Sequence, residues 1–272
     1  PKNNCVEKNI IDLIEKKVIK FEKTIKYLNN NYSNSNSYKL LHKGSQFIDD
    51  TDISDESVQL IITDPPYLGQ VAYSEYMQLY KPFLNLNFNL DDEIIVSSAP
   101  SRNKNEDQYF KDLDNVFSIC SKKMKNEGYL CLYFHDSSLE VWDKLINILS
   151  KNHFKYLSQA HIRKSNTLKN IISPKKSLNG DCILFFQKDN NIASNPIGSE
   201  DILEIEQNII KQAKYLVKRA NCLSTPELYD LGLMEILIHN GWLHPLSKKY
   251  KSLVDIFEKH LIWDSIKSKW TL

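Results

Sequence analysis

Residues 58–67 read Val58-Gln-Leu-Ile-Ile-Thr-Asp-Pro-Pro-Tyr67. The compact apolar run up to Thr63 reads as a buried strand of a parallel sheet. It stops at Pro65 and Pro66, because proline has no N–H to donate to a ladder. Working outward, 128–134, 154–162 and 181–187 are three further strand candidates, and helical patterns occupy 109–125 and 139–150. Strands alternating with helices predict a parallel α/β sheet covered on both faces.

The flanks differ from this centre. Residues 6–28 place Val6, Ile10, Leu13, Ile14, Val18, Phe21, Ile25 and Leu28 at helical spacing, which predicts an amphipathic helix. An Asn/Ser-rich loop follows to Ser37, and 38–42 is a short strand candidate ending at Gly44. Beyond Asn190 the pattern turns helical. Residues 200–220 are amphipathic, Ser224-Thr-Pro-Glu227 is a helix start, Gly241 a helix end, and 249–269 one more helix. Three regions are therefore expected: an N-terminal helix and linker (1–37), a core (38–190) and a helical C-terminal region (191–272).

Composition restricts the function classes. In 272 residues, 42% are hydrophobic and 25% charged, a folded profile and not a disordered one. No apolar run reaches the ~18 residues of a membrane span, and charges interrupt every N-terminal apolar stretch that a signal peptide would need. Cys5, Cys120, Cys131, Cys182 and Cys222 form no C-x-x-C pair, so neither a zinc site nor a disulfide framework is expected, and a reducing cytoplasm is the natural setting. Net charge is only +1, yet residues 151–180 hold seven Lys or Arg and no acid. Such a patch fits against phosphates, or it is a solvated loop.

In open α/β sheets, ligands bind beyond the carboxyl ends of the strands, where Asp64-Pro65-Pro66-Tyr67 stands. Here the sequence resembles the DNA adenine-N6 and cytosine-N4 amino-methyltransferases, whose catalytic motif is Asp/Asn/Ser-Pro-Pro-Tyr/Phe/Trp; the resemblance covers roughly residues 38–190. It implies a Rossmann-like sheet, S-adenosylmethionine as cofactor, double-stranded DNA as partner and a bacterial restriction-modification or defence setting. It implies catalytic roles for Asp64, Pro65, Pro66 and Tyr67, with Asp64, Gly44 and Ser45 towards the cofactor. Asp at the first motif position favours adenine. No Pro-Cys dipeptide is present, so a cysteine-nucleophile mechanism on cytosine C5 is not expected. The bland reading of Asp-Pro-Pro-Tyr is a turn after a strand.

Candidate DNA contacts are Tyr73, Arg102, Arg163, Lys164, Lys175 and Lys176. Tyr73, Tyr76 and Tyr80 line a base pocket or belong to the core, and His135 with Asp136 borders the site or caps a helix. His153 and His161 lack metal-ligand spacing. Trp142, Trp242, Trp263 and Trp270 fall in helical patterns and are expected in the core. The resemblance also implies a glycine-rich loop around the cofactor, and no two of the seven glycines stand close enough to form it. The chain is then a fragment or subunit whose absent segment or second chain supplies the loop. The rivals are a non-catalytic DNA-binding or assembly subunit and an RNA base amino-methyltransferase.

Overall fold

The computed structural model describes residues 9–31, 38–84, 88–134, 136–162, 175, 181–191 and 201–272. The chain divides into two units, Pro1–His42 and Lys43–Leu272. The first consists of α1 (Ile10–Asn31), whose start is capped by the Asn9 side chain accepting from the Ile11 amide at 2.9 Å. Residues 38–42 take no regular structure, a correction to the strand expected there. No described strand offers that segment a ladder.

The second unit is built on four strands: β1 (Val58–Thr63), β2 (Met124–Phe134), β3 (Phe154–Ile162) and β4 (Asp181–Lys188). Their order is β1-β2-β4-β3, with β1 parallel to β2 and β4 antiparallel to both β2 and β3. The sheet is therefore mixed rather than parallel. Apolar runs locate strands but carry no direction, so the insertion of β4 between β2 and β3 leaves no trace in the pattern.

One face of the sheet carries Leu130, Leu132, Phe134, Phe154, Leu184 and Phe186, all buried. Helices α3 (Glu106–Lys123) and α4 (Leu139–Lys151) cover it; Phe117 of α3 meets Phe154 edge-on at 6.4 Å, and Trp142 of α4 meets Phe134 at 4.8 Å. On the opposite face Leu60 is 50% exposed, Ile62 64% and Tyr129 44%. The expected two-sided cover is thus present on one side only among the described residues, which leaves Leu60 and Ile62 of β1 uncovered at an edge of the described sheet.

The C-terminal region packs into the same core. Helix α5 (Ile202–Ala220) is capped by Asp201, and Ser224 with Glu227 forms a reciprocal capping box with a proline in the first turn, as the sequence indicates. Gly232, at φ 102°, interrupts the helical run, and Gly241, at φ 68°, follows its end. The helix expected over 249–269 is instead a helix, Val254–His260, followed by a hairpin of Ile262–Asp264 and Lys269–Thr271. Trp263 and Trp270 stand seven apart, which mimics a helical stripe, but they are cross-strand partners. No described helix is long and apolar enough to cross a membrane.

Glu206 of α5 ties this region together. It accepts from Lys249 Nζ at 2.8 Å and from the Tyr250 hydroxyl at 2.6 Å. Those hydrogen bonds hold its carboxyl down from 4.5 to about 2. A depressed carboxylate contributes stability above its unfolded pKa and loses it as pH falls through the folded value. Thermal melts of the wild type are expected to lose stability between pH 4.5 and about 2, and Glu206→Gln to flatten that dependence. An equal slope in both proteins would contradict this.

Candidate active site

Asp64 begins where β1 ends, because Pro65 cannot extend the ladder. Its carboxylate is exposed, while Pro65, Pro66 and Tyr67 are half-buried. The Tyr67 hydroxyl donates to Asp64 Oδ1 at 2.5 Å. The Tyr67 ring lies edge-on to Phe134 at 6.3 Å, so the phenol is held between the motif carboxylate and the end of β2.

The backbone after the motif is pinned at several points. The Tyr109 hydroxyl of α3 donates to the Pro66 carbonyl at 2.5 Å, and the Gln70 amide donates to the Tyr67 carbonyl at 3.0 Å. Leu68 sits at φ 46°, in the left-handed region, and its carbonyl accepts from the Val96 amide at 3.2 Å. A Cβ on Gly69 would stand 2.7 Å from the Val96 carbonyl oxygen, so only glycine lets the two backbones approach. Among the described residues no donor reaches the Pro65 carbonyl.

Beside Asp64 and Pro65 an apolar cavity of about 380 Å³ runs along β1. Ile61, Ile62, Leu113, Phe117 and Cys120 line it, with Ser45 at its wall. Burial pushes the Cys120 thiol up to about 11, so it is a neutral wall group, not a nucleophile. Ser45 thus shares a cavity with Asp64, and Gly44 precedes it at the start of the turn Ser45–Phe47.

The other candidates are distributed differently. Tyr73 opens helix α2 (Tyr73–Leu84), a helix not expected from sequence, and is 60% exposed. Tyr76 and Tyr80 are exposed on the same helix, so none of the three is a core residue. The Arg102 guanidinium turns inward: it donates to Ser74 Oγ and to Glu75 Oε1, each at 2.6 Å, while Ser74 Oγ donates to Glu93 at 2.6 Å. That clamp ties the start of α2 to the 93–104 loop and leaves Arg102 a scaffold group. Lys175 pairs with Glu258 at 2.7 Å and lies over the Trp270 ring. Arg163, Lys164, Lys176 and His135 lie outside the described residues.

Asp136 accepts from the Ser138 amide at 2.7 Å and, through its carbonyl, from the Trp142 indole at 2.9 Å, a capping arrangement at the start of α4. His161 pairs with Asp230 at 2.6 Å, and His153 closes the end of α4 at φ 65°. No metal-binding group of three or more ligands occurs among the described residues. Of the tryptophans, Trp142, Trp242 and Trp270 are core residues and Trp263 is packed against the core, but Trp263 and Trp270 sit on strands. Sequence reasoning missed Tyr109. Its signal was a phenol leading the apolar stripe Tyr109, Leu113, Phe117, where a buried hydroxyl requires a partner.

A family model described as DNA methylase, of N6/N4 type, matches residues 58–269. The chain belongs to this DNA methylase family. Sequence comparison with curated proteins finds no match. Among solved structures, it is similar to TTHA0409 of Thermus thermophilus, assigned as a DNA modification methylase. Identity is 14%, covering 61% of this chain and 67% of that one, with a TM-score of 0.29. The same protein complexed with S-adenosyl-L-methionine gives 12% identity, 57% of each chain and a TM-score of 0.29. PvuII DNA methyltransferase, cytosine-N4-specific, gives 12%, 60% of this chain, 63% of that one and a TM-score of 0.30. The chain thus spans between 57% and 67% of those proteins' lengths. The family assignment rests on the family model alone.

Proposed function

We propose that this chain carries the base-binding and catalytic part of a DNA methyltransferase acting on adenine N6, in a bacterial restriction-modification or defence enzyme, with S-adenosylmethionine as methyl donor. The observation that carries the reading is the juxtaposition, at the end of β1, of the exposed Asp64 carboxylate and a Pro65 carbonyl that no described donor reaches. An exocyclic amine on a base is a poor nucleophile because its lone pair is delocalised into the ring. Asp64 accepts one N–H and the Pro65 carbonyl the other, which localises the lone pair on nitrogen and leaves the carboxylate beside the positive charge that develops there. The base has to leave the duplex to reach Asp64, and Tyr67 stacks on it after releasing its own hydroxyl bond to the carboxylate. The preference for adenine rests on the acidic first residue of the motif. Exposed Tyr73 and the basic residues Arg163, Lys164 and Lys176 are proposed to contact DNA, whereas Lys175 is already paired with Glu258.

When bound, S-adenosylmethionine supplies an electrophilic methyl group. The apolar cavity beside Asp64, with Ser45 at its wall, suits part of such a molecule. A glycine cradle for the methionine part is not found among the seven glycines. We assign that cradle to a segment beyond the described residues or to a second chain. Support comes from β1: among the described residues it is an edge strand, its Leu60 and Ile62 are exposed, and the cavity under α3 lies beside it. Such a strand is ordinarily interior to a sheet.

The test is methyl transfer from labelled S-adenosylmethionine to unmethylated duplex DNA, with identification of the modified nucleoside. N6-methyladenine is the expected product. N4-methylcytosine would overturn the adenine assignment, and transfer to structured RNA in place of DNA would overturn the substrate.

A further inference from the structure

We infer that Tyr109 is a positioning residue for methyl transfer, holding the catalytic loop by its Pro66 carbonyl so that the neighbouring Pro65 carbonyl is presented to the base. The inference rests on the proposed role of Asp64 and Pro65, and it adds a residue 43 positions beyond Pro66 on a different element.

Neither proline has an N–H, so the loop between Asp64 and Tyr67 cannot be fixed by donating hydrogen bonds of its own at those positions. Apart from the Tyr67 side chain, it is held through its carbonyls and through the turn at Leu68 and Gly69. Tyr109 supplies the first of these: its hydroxyl donates to the Pro66 carbonyl at 2.5 Å, two residues before Leu68. Leu68 is the left-handed residue of the turn, a conformation a leucine keeps only where its surroundings impose it. The phenol therefore holds the carbonyl two residues before the strained position.

Its placement is rigid. Tyr109 is 2% exposed and packs edge-on to Phe110 at 5.2 Å, and Asn105 and Lys104 anchor the start of its helix. Burial holds the hydroxyl protonated, its pKa pushed up to about 12, so it remains a donor throughout the pH range in which an enzyme works. The two tyrosines of the site then divide the work. Tyr109 holds a carbonyl from the buried side and stays, whereas Tyr67 holds the carboxylate from the open side and has to give way.

The experiment compares the wild-type full-length protein with Tyr109→Phe, which removes one oxygen and leaves the ring in its pocket. Steady-state methyl transfer to duplex DNA and hydrogen exchange of the 64–70 amides are measured on the same preparations. A displaced catalytic loop is expected to lower kcat by about 10- to 100-fold. KM for DNA is expected to stay within about twofold, because no contact to DNA is removed. Exchange at Leu68 and Gly69 is expected to rise while the β2 and β4 amides keep their protection. A kcat within about twofold of wild type overturns the inference, and so does unchanged exchange at Leu68. Protection lost equally through β2 and β4 would make Tyr109 a general stability residue and overturn it too. If the wild type alone transfers no methyl group, that result bears on the proposed activity and its missing cradle, and the exchange pattern still decides whether Tyr109 holds the loop.

Discussion

Asp64→Asn is expected to lower methyl transfer by at least about 100- to 1000-fold while leaving the fold and DNA affinity intact, the size of effect found when one preorganised electrostatic group is removed. Asparagine has nearly the same shape as aspartate but presents one acceptor oxygen without the charge, beside an NH₂ that competes with the base amine. The carboxylate is exposed and its hydrogen bond is to the Tyr67 hydroxyl, so the core loses nothing. Single-turnover transfer, DNA binding by fluorescence anisotropy and a thermal melt separate these effects. An Asp64→Asn variant that retained more than about a tenth of the wild-type rate would remove Asp64 from the reaction.

Tyr67 sharpens that result. Tyr67→Phe keeps the ring and removes the hydroxyl that occupies Asp64, so the base meets an acceptor already uncovered. Tyr67→Ala removes the stacking surface as well, a contact worth about 1–3 kcal/mol per base. The phenylalanine variant is therefore expected to stay within a few-fold of wild type and the alanine variant to fall well below it. The reverse order would mean that the hydroxyl, not the ring, does the work.

How much of this was open to sequence reasoning depends on the interaction concerned. Strand β1 and the position of Asp64 at its end follow from an apolar run meeting two prolines, a covalent and steric effect local in the chain. Local signals likewise marked β3, the start at Ser224 and the end near Gly241. Sheet direction is different in kind. Nothing in 181–188 records that it runs antiparallel between β2 and β3, since that is decided by the return path of the chain. Arg102 shows the same limit for side chains. A surface arginine and one clamped between Ser74 and Glu75 have the same letter, and the difference lies in Glu93 and α2 arriving from elsewhere. Helix α2 was hidden because Tyr73, Tyr76 and Tyr80 read as base-pocket or core aromatics in an aromatic-rich stretch, yet those side chains are exposed. Tyr109 belongs with these: its stripe was legible, its partner 43 residues away was not.

The largest expected loss of stability comes from Trp270→Ala. Trp270 is 0% exposed, and its ring meets Trp263 at 4.9 Å and Phe257 at 5.7 Å. Its backbone exchanges hydrogen bonds with Leu223, donating at 2.7 Å and accepting at 3.1 Å, which ties the C-terminal hairpin to the loop before Ser224. The indole N–H donates to Thr225 Oγ1 at 2.9 Å, and that hydroxyl, itself fully buried, donates to the Lys175 carbonyl at 2.7 Å. Truncation to alanine removes a large ring from a site that three elements cannot collapse around, and about 3–5 kcal/mol is the expected cost. Trp270→Phe keeps most of the apolar contact and removes the indole donor, while Thr225 retains its own bond to Lys175, so about 1–2 kcal/mol is expected. Urea unfolding at equilibrium measures both, with the midpoint moving and the slope unchanged. If the two variants lose the same amount, the indole hydrogen bond and not ring packing anchors the hairpin. If alanine costs less than about 1 kcal/mol, the hairpin is an ornament on the fold and not part of its core.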